Sequence, residues 1–225
     1  MADASDAAAI ARAVRILKRG GLVAFPTETV YGLGADALNP LAVARIFEVK
    51  ARPRMDPLIV HVADYESAKR FGEFPDAAAE LASRFWPGPL TLIVAKKDVV
   101  PPIVTAGLDT VAIRVPAHPA ALALIRAAGC GIAAPSANPF GCVSPTEARH
   151  VADQLGLSVD LILDGGPCMI GLESTILSLA GEAPAVLRLG GTAVEELEAL
   201  LGTLAVETVE TRLPQAPGQL KRHYA

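Results

Sequence analysis

Polar residues gather where a short apolar run of the sequence ends. In "VAFPTETVYGLGAD", the apolar run and a proline are followed by Thr27, Glu28, Thr29 and Tyr31. Hydroxyls, a carboxylate and a phenol can bind a polar ligand through hydrogen bonds. The two glycines of "YGLG" are expected to let the backbone turn tightly after a buried strand. The segment is therefore a candidate wall of a binding pocket.

A second group of polar residues is basic. In "FEVKARPRMDPLIVH", Lys50, Arg52 and Arg54 fall within five positions, and an apolar strand after them ends in His61. Cations this close repel one another, and an anion such as a triphosphate would offset that cost. The alternative is a solvated helix end, where basic residues favour the dipole. His61 by itself also fits an ordinary, partly buried histidine.

An arginine also stands inside an apolar strand. Arg114 in "TVAIRVP" is surrounded by apolar residues, and an unpaired buried guanidinium is costly. It therefore requires either an acidic partner or the carboxylate of a ligand. Ser174 in "LESTI" and Arg188 in "VLRLG" stand at the margins of later strands and are weaker candidates.

The loop "APSANPFGCVSPTE" carries Ser136, Asn138 and Ser144 between a strand and a helix. The N-terminus of that helix can bind an anion through its free N–H groups. Ser144 also has a structural interpretation, because it stands three residues before Glu147 with a proline between, as in an N-terminal capping box.

Helical and strand-like patterns alternate along most of the chain. Helices are predicted in "DAAAIARAVRILKRGG", from Asn39 to about Val49, from Asp76 to about Phe85, and in "HPAALALIRAAG", "SPTEARHVADQLG" and "AVEELEALLG". The last of these follows a second capping-box spacing, Thr192 to Glu195. Short apolar runs between the helices predict strands, and the final three follow one another without a helix. The pattern predicts an α/β domain around a large, mixed sheet.

Composition narrows the class of protein. The 225 residues are 52% hydrophobic and 20% charged, with a net charge of −4, which favours a globular protein without a generally basic surface. The three cysteines form no C-x-x-C pair and are expected to be buried free thiols in a reducing compartment. The N-terminus does not resemble a secretory signal, and no apolar run is long enough to span a membrane, so we expect a cytoplasmic protein. Common phosphate-loop, dinucleotide, nucleophile-elbow and metal-ligand motifs are absent from the sequence.

Six motifs in order resemble one family. "FPTETVYGLG", "KARPRMDPLIVH", "TVAIRVPAH", "PSAN" with "SPT", "LESTIL" and "VLRLGG" are similar to motifs of the YrdC-like family of L-threonylcarbamoyladenylate synthases, over about residues 8 to 192. The resemblance implies a twisted mixed sheet flanked by helices around an open, positively charged cavity. It implies a catalytic domain over residues 1–205 and a linker or lid over residues 206–225, as in longer members that carry a further C-terminal domain.

The resemblance also implies a reaction and its partners. L-threonine, bicarbonate or carbon dioxide, and ATP give L-threonylcarbamoyl-AMP and pyrophosphate, with Mg²⁺ accompanying the nucleotide. The product is passed to a tRNA-modifying transferase complex for threonylcarbamoyladenosine formation beside the anticodon, and RNA contact is possible.

Residue roles are implied in the same way. Lys50 and Arg52 carry the catalytic charge stabilisation. The ATP site comprises Lys50, Arg52, Asp56, Thr110, Ser136, Ser144, Arg188 and Tyr224. The L-threonine site comprises Thr29, His61, Arg114, Ala134 and Ser174. No residue is expected to be a metal ligand, and Glu28 is a candidate general base.

Asp56 departs from the family pattern, since many relatives have Asn before "PLIV". A carboxylate beside phosphates is unfavourable unless a metal or Arg54 intervenes. Two other functions stay open: a non-catalytic RNA-binding or ribosome-maturation module that uses the cavity, and a carbamoyltransferase-related domain.

Overall fold

A computed structural model describes residues 1–207 and 214–219 of the chain. The helices are α1 Ala7–Lys18, α2 Pro40–Lys50, α3 Tyr65–Ala68, α4 Asp76–Phe85, α5 Pro119–Ala128, α6 Ala148–Leu155 and α7 Val194–Leu201, with a 3₁₀ turn at Gly156–Ser158. The strands are β1 Ala2–Asp3, β2 Val23–Phe25, β3 Gly32–Asp36, β4 Ile59–His61, β5 Gly72–Glu73, β6 Leu90–Lys96, β7 Thr110–Arg114, β8 Ile132–Ala133, β9 Leu161–Asp164, β10 Thr175–Ser178, β11 Ala185–Arg188 and β12 Ala205–Val206.

The strands form one mixed sheet in the order β1-β9-β2-β3-β8-β4-β7-β6-β10-β11-β12, with β5 added beside β6. Strand β4 pairs in parallel with β7, whereas β6 and β7 are antiparallel. Strands β10 and β11, which follow each other without a helix, are also antiparallel. The prediction of a mixed sheet flanked by helices is confirmed.

The two faces of the sheet are covered differently. Residues of α2, α4, α6 and α7 pack on one face in a large apolar cluster. On the other face, α1 and α5 cover only β2, β8 and β9. The rest of that face carries a smaller cluster from β4, β6, β7, β10 and β11, to which Ala216 is added and which contains no helical residue within the described part of the chain.

Alternation along the strands decides which polar side chains share this less covered face. In β7, Val111 and Ile113 belong to the large cluster, while Ala112 belongs to the smaller one. Because successive side chains point to opposite faces, Thr110 and Arg114 lie on the same side as Ala112. Ile59 belongs to the same small cluster, so His61 is on this side as well.

Two predicted capping boxes are wrong. Helix α6 begins at Ala148 with Glu147 as N-cap, and α7 begins at Val194 with Ala193 as N-cap. The Ser144 hydroxyl donates instead to Glu173, 2.9 Å away. The Thr192 side chain makes no cap, since its backbone is held by Thr175. In both cases a tertiary partner took precedence over the local spacing.

The prediction that the glycines of "YGLG" form a tight turn is also wrong. Gly32 and Gly34 lie inside β3 rather than in a turn. A Cβ at Gly34 would lie 2.7 Å from Ile132 Cγ2 and 2.8 Å from Phe25 Cε1. A side chain does not fit there, because the Phe25 ring packs directly on the strand.

Candidate functional site

A narrow cavity lies on the less covered face of the sheet. It is next to the region of that face on which α1 and α5 pack. Its free volume is about 30 Å³. It is lined by Thr27, Thr29, Val30, Gly32, Arg52, Ile59, His61, Arg114, Ala134, Pro135, Ser136, Glu173, Ser174, Arg188 and Pro217. The segment 27–30 between β2 and β3 forms one wall, and the ends of β4, β7 and β11 form the others.

Arg114 is held by three partners around its guanidinium group. Its Nε donates to the Gly88 carbonyl at 3.1 Å, Nη1 to the Thr29 hydroxyl at 2.9 Å, and Nη2 to a Glu28 carboxylate oxygen at 2.5 Å. A guanidinium has five N–H donors, so one N–H is left on each terminal nitrogen. Two donors are the number that a two-pronged contact between arginine and a carboxylate uses.

Glu28 supplies the acidic partner that Arg114 requires. Its other carboxylate oxygen accepts a hydrogen bond from the Ala117 N–H at 2.9 Å. Burial lowers the pKa of Arg114, and the charge of Glu28 opposes that effect. With both oxygens engaged, Glu28 is arranged to position Arg114 rather than to act as the candidate general base.

The imidazole of His61 is buried next to Arg114 in the sheet. Strands β4 and β7 pair these two residues directly, and the His61 ring meets Phe25 edge to face at 6.0 Å between centroids. Burial and the neighbouring charge of Arg114 lower the pKa of His61 to about 3. The ring is therefore neutral near pH 7, and its Nδ1 has no hydrogen-bond partner among the described residues.

Ser174 and Arg188 form the opposite wall. Arg188 Nη2 donates to the Ser174 hydroxyl at 3.0 Å, and Nε donates to the Ser174 carbonyl at the same distance. The buried Thr91 hydroxyl lies 2.8 Å from the Ser174 hydroxyl. Thr91 thus stands behind Ser174 in the same way that Thr27 stands beside Thr29, at 2.8 Å between hydroxyl oxygens.

The basic segment begins at the C-terminus of α2. Ala51 adopts a left-handed conformation with φ of 50° and ends the helix. Lys50 Nζ donates to the Ser136 carbonyl at 2.6 Å and also to the Asn138 carbonyl. Burial and the charge of Arg52 lower the pKa of Lys50 to about 7. Lys50 lies behind the cavity wall and supports the loop that carries Ser136.

Arg52 is paired with Asp56 in a fully buried ion pair. Nη2 lies 2.8 Å from an Asp56 carboxylate oxygen, with side-chain exposures of 1% and 0%. Arg52 also donates to the Asp56 and Pro57 carbonyls. Arg54, the expected partner of Asp56, is exposed. Arg52 takes that position instead.

Glu173 connects two predicted site residues. One carboxylate oxygen accepts from Ser144, and the other lies 2.6 Å from Arg188 Nη1. The three arginines of the cavity are therefore each paired with a carboxylate: Arg52 with Asp56, Arg114 with Glu28, and Arg188 with Glu173. The expectation of a positively charged cavity stays a prediction.

The structure brings together most of the residues singled out from the sequence. Lining the cavity are Thr29, Arg52, His61, Arg114, Ala134, Ser136, Ser174 and Arg188. Lys50 and Asp56 lie behind it, and Ser144 reaches it through Glu173. Thr110 lies elsewhere on the same sheet face, about 13 Å from Arg114 at roughly 3.3 Å per residue, and lines a second pocket of about 520 Å³. Tyr224 lies outside the described residues.

Three contributing residues were missed from the sequence: Thr91, Glu173 and Pro217. Thr27 belongs to the predicted wall segment and lines the cavity, whereas Glu173 stands directly before the predicted Ser174 in "LEST". Thr91 offered no such signal, since a threonine in an apolar strand is ordinary. The Pro217 carbonyl accepts from Arg188 at 3.3 Å.

Residues 1–207 and 214–219 contain no cluster of three or more His, Cys, Asp or Glu side chains placed to hold a metal ion. No helix in this part of the chain is long and apolar enough to cross a membrane. Cys130, Cys142 and Cys168 are free thiols as expected, but the prediction that they are buried is wrong, because Cys142 is exposed and the other two are half-buried.

The fold and the site define an α/β protein with an arginine-lined pocket on one sheet face, and comparisons with known proteins give its family. Residues 15–190 match the Sua5_yciO_yrdC family, described as "Telomere recombination". The chain belongs to this family.

Individual relatives are close in sequence. The chain is 50% identical over 220 residues to the threonylcarbamoyl-AMP synthase of Pyrococcus abyssi, covering 95% of this chain and 64% of the relative. It is 52% identical over 221 residues to the Bacillus subtilis protein of the same name, covering 96% of this chain and 64% of the relative. The chain thus spans just under two thirds of the length of these curated relatives.

A solved structure agrees with the fold. P. abyssi Sua5 complexed with L-threonine superimposes with a TM-score of 0.94 at 49% identity, covering 96% of this chain and 65% of that one. The fold predicted from the sequence motifs is confirmed.

Proposed function

We propose that this protein synthesises L-threonylcarbamoyl-AMP from L-threonine, bicarbonate or carbon dioxide, and ATP, with release of pyrophosphate. The observation that carries the proposal is the arrangement of Arg114, which is fixed by Glu28, Thr29 and Gly88 and keeps two N–H donors. Relatives at 50% and 52% identity carry the name of this synthase, and a structural neighbour at TM-score 0.94 binds L-threonine.

In the proposed threonine site, Arg114 binds the amino-acid carboxylate. Thr29 and Ser174 contribute hydroxyls from opposite walls, while His61 and Ala134 complete the pocket. A neutral imidazole suits this role, because a second cation beside Arg114 would add repulsion without a further carboxylate to offset it.

In the proposed ATP site, the phosphates meet Arg52, Arg188 and Ser136, with Ser144 nearby and Lys50 behind the wall. The nucleotide extends along the sheet face toward Thr110. A free volume of about 30 Å³ is far below the several hundred Å³ that ligand pockets usually offer. The Pro217 carbonyl lies against Arg188, and Ala216 packs on the sheet face. We infer that residues 214–219 shift when the nucleotide enters, and that the tail with Tyr224 acts as a lid.

The reaction needs positioning more than covalent help from the protein. The neutral amine of threonine attacks the carbon of carbon dioxide; the N–C bond forms as one C=O π bond opens to a carbamate oxygen, and the nitrogen releases its proton to water. A carbamate oxygen then attacks the α-phosphorus of ATP, and the bond to the β-phosphate breaks as pyrophosphate leaves with the electron pair. Arg52, Arg188 and Lys50 stabilise the negative charge on the phosphates during this step.

Mg²⁺ is proposed only as a companion of the nucleotide. The described residues do not supply a metal cage, because the cavity carboxylates Glu28 and Glu173 are each tied to an arginine. A reaction that consumes ATP and bicarbonate fits the cytoplasm, where we place the protein. We propose that the labile adenylate passes to a tRNA-modifying transferase and that the protein contacts RNA during the transfer.

The proposal is tested by incubating the protein with ATP, labelled bicarbonate and each amino acid in turn. We expect pyrophosphate and a labelled acyl-adenylate with L-threonine alone. Arg114→Lys loses the two-pronged contact and should raise the KM for threonine about tenfold or more. Arg45→Lys, which changes an exposed arginine paired with Asp160, is the matched control and should leave that KM unchanged. Pyrophosphate release independent of threonine, or tRNA binding without this chemistry, would refute the synthase assignment.

The lid is tested separately with a chain that ends at residue 213. We expect threonine binding to persist and the KM for ATP to rise about tenfold, as for the loss of a hydrogen-bonded contact and a packed segment. An unchanged KM for ATP would contradict the lid but not the synthase assignment.

A further inference from the structure

Two hydroxyls line the cavity, and each has a second, buried threonine hydroxyl behind it. Thr29 lies 2.8 Å from Thr27, and Ser174 lies 2.8 Å from Thr91, between hydroxyl oxygens. Each hydroxyl has one hydrogen to donate. The fixed partners of the four groups therefore determine where each hydrogen points.

In the first pair, the hydrogen of Thr27 is already committed. Its hydroxyl lies 2.7 Å from the Val30 carbonyl oxygen, which can only accept. Thr27 therefore accepts from Thr29, and Thr29 donates its single hydrogen. Arg114 Nη1, which can only donate, occupies one acceptor position of Thr29 at 2.9 Å. What Thr29 still offers the cavity is a lone pair.

In the second pair, the direction is the opposite. Thr91 is fully buried, and Ser174 is the hydrogen-bond partner of its hydroxyl among the described residues. If Ser174 donated to Thr91, the hydrogen of Thr91 would be buried without an acceptor, which is costly. Thr91 therefore donates to Ser174, and Arg188 Nη2 donates to it as well at 3.0 Å. What Ser174 still offers the cavity is its hydrogen.

We propose that Thr27 and Thr91 are positioning residues that give the two walls of the amino-acid pocket opposite hydrogen-bonding polarity. Thr29 accepts a hydrogen bond from the amine of the substrate, and Ser174 donates one to a substrate oxygen. This inference rests on the proposed function, since it specifies how the amino acid lies in that pocket.

The arrangement has a consequence for the reaction. An amine that donates one N–H to Thr29 is held by that bond while its lone pair remains free to attack carbon dioxide. A hydroxyl able to donate at the same position would compete by hydrogen-bonding the nitrogen lone pair. The commitment of the Thr29 hydrogen to Thr27 removes that competition.

The test measures how much the substrate amine contributes to binding, with and without Thr27. Dissociation constants are measured by calorimetry for L-threonine and for 3-hydroxybutanoate of matching configuration, which lacks the amine. In the wild-type protein we expect threonine to bind about tenfold or more tightly, the size of one hydrogen bond to a charged or strongly polar group. In Thr27→Val this ratio should approach one, and in Thr27→Ser it should be retained.

Thr91→Val is the matched control, because it makes the same change behind the other hydroxyl. It should weaken both ligands by a similar factor and leave their ratio as in the wild type. A merely structural effect of Thr27→Val would likewise weaken both ligands together, so an unchanged ratio in that variant overturns the proposal.

The Thr29 and Val30 N–H groups, at 3.1 and 3.2 Å, share the second lone pair of the Thr27 hydroxyl. Because Thr27→Val also removes these bonds, the variant is checked for folding by its thermal stabilisation on adding ATP. Should it not fold, Thr27→Cys replaces the hydroxyl by a thiol, which is a weak donor and acceptor, and the ratio should fall between that of the wild type and one. A wild-type ratio in Thr27→Cys would overturn the polarity assignment. Failure of the wild-type protein to bind threonine would instead overturn the proposed function, and this inference with it.

Discussion

The buried pair of Arg52 and Asp56 gives a prediction in which stability and nucleotide binding change in opposite directions. Asp56→Asn keeps the shape of the side chain and removes its charge. Arg52 keeps its hydrogen bonds to the Asp56 and Pro57 carbonyls, but it loses the carboxylate 2.8 Å away. The guanidinium then remains buried without its counter-charge.

The stability of the free protein should fall. Removing one partner of a buried ion pair costs about 3 to 5 kcal/mol, and the retained carbonyl contacts favour the lower end, about 3 kcal/mol. For a domain of this size, 1 kcal/mol corresponds to about 2 to 4 °C in Tm. Asp56→Asn should therefore unfold about 6 to 12 °C below the wild type, as measured by scanning calorimetry without ligand.

ATP binding should become tighter in the same variant. A phosphate in contact with Arg52 would lie about 6 Å from the Asp56 carboxylate, and two like charges at that distance repel by about 3 kcal/mol at an effective dielectric constant of about 20. Even with part of this screened, we expect at least a tenfold lower Kd for ATP, which is about 1.4 kcal/mol. The rise in Tm on adding ATP should be correspondingly larger than in the wild type.

The control is Glu66→Gln, which breaks the exposed pair of Glu66 and Lys69, with side-chain exposures of 80% and 45%. Exposed pairs contribute less than about 1 kcal/mol, so both Tm and ATP affinity should stay close to wild type. If Asp56→Asn binds ATP more weakly than the wild type, or leaves the Tm of the free protein unchanged, the reasoning from the ion pair is wrong.

Three further predictions concern other charged groups. Glu173→Gln should release Arg188 and Ser144 for the phosphates and lower the Kd for ATP several-fold by calorimetry; a higher Kd would show that Glu173 assists the nucleotide rather than competes with it. Lys50 has a pKa of about 7 in the folded protein, below its usual 10.5. Between these two pH values the lysine is protonated in the unfolded chain but not in the folded protein, so the free energy of unfolding should rise from pH 7 to 10. In the same range, ATP binding should take up a proton, seen as a dependence of the binding heat on the buffer, and no uptake would contradict the placement of Lys50 near the phosphates. His61 has a pKa of about 3 in the folded protein against 6.5 when unfolded, so its contribution to stability is complete only well above pH 6.5 and is lost on acidification. Urea unfolding at pH 6.5 and 5.0 should show a loss of about 1.6 kcal/mol from this group, which His61→Asn lacks. Equal losses in the two proteins would refute a neutral, buried imidazole.

The sequence led to Arg114 for a physical reason that the structure supports. A guanidinium in an apolar strand required an acidic partner or a ligand carboxylate, and Glu28 is that partner. The pairing could not be read from the sequence, because 86 positions separate the two residues. Their contact depends on the placement of the loop after β2 beside the end of β7, which the sheet order determines.

The sequence misled where a local pattern had a stronger tertiary alternative. The spacing of Ser144 and Glu147 satisfies a capping box, yet the Ser144 hydroxyl donates to Glu173, 29 positions away. Gly34 was expected in a turn but lies in a strand, where Phe25 excludes a Cβ. Hydrogen-bond donors and packing space are shared across the whole fold, so a motif of four residues shows only that a contact is available.

The three ion pairs suggest how this pocket combines stability with anion binding. Buried arginines without counter-charges would destabilise the free protein, and each here has a carboxylate. Arg114 can bind an anion without releasing its partner, because it keeps two N–H donors. Arg188 shares its donors with Glu173, which is 14% exposed and the most accessible of the three carboxylates. A phosphate can therefore displace Glu173 at a lower desolvation cost than it could displace Asp56, which makes Arg188 the first arginine expected to exchange its partner for the nucleotide.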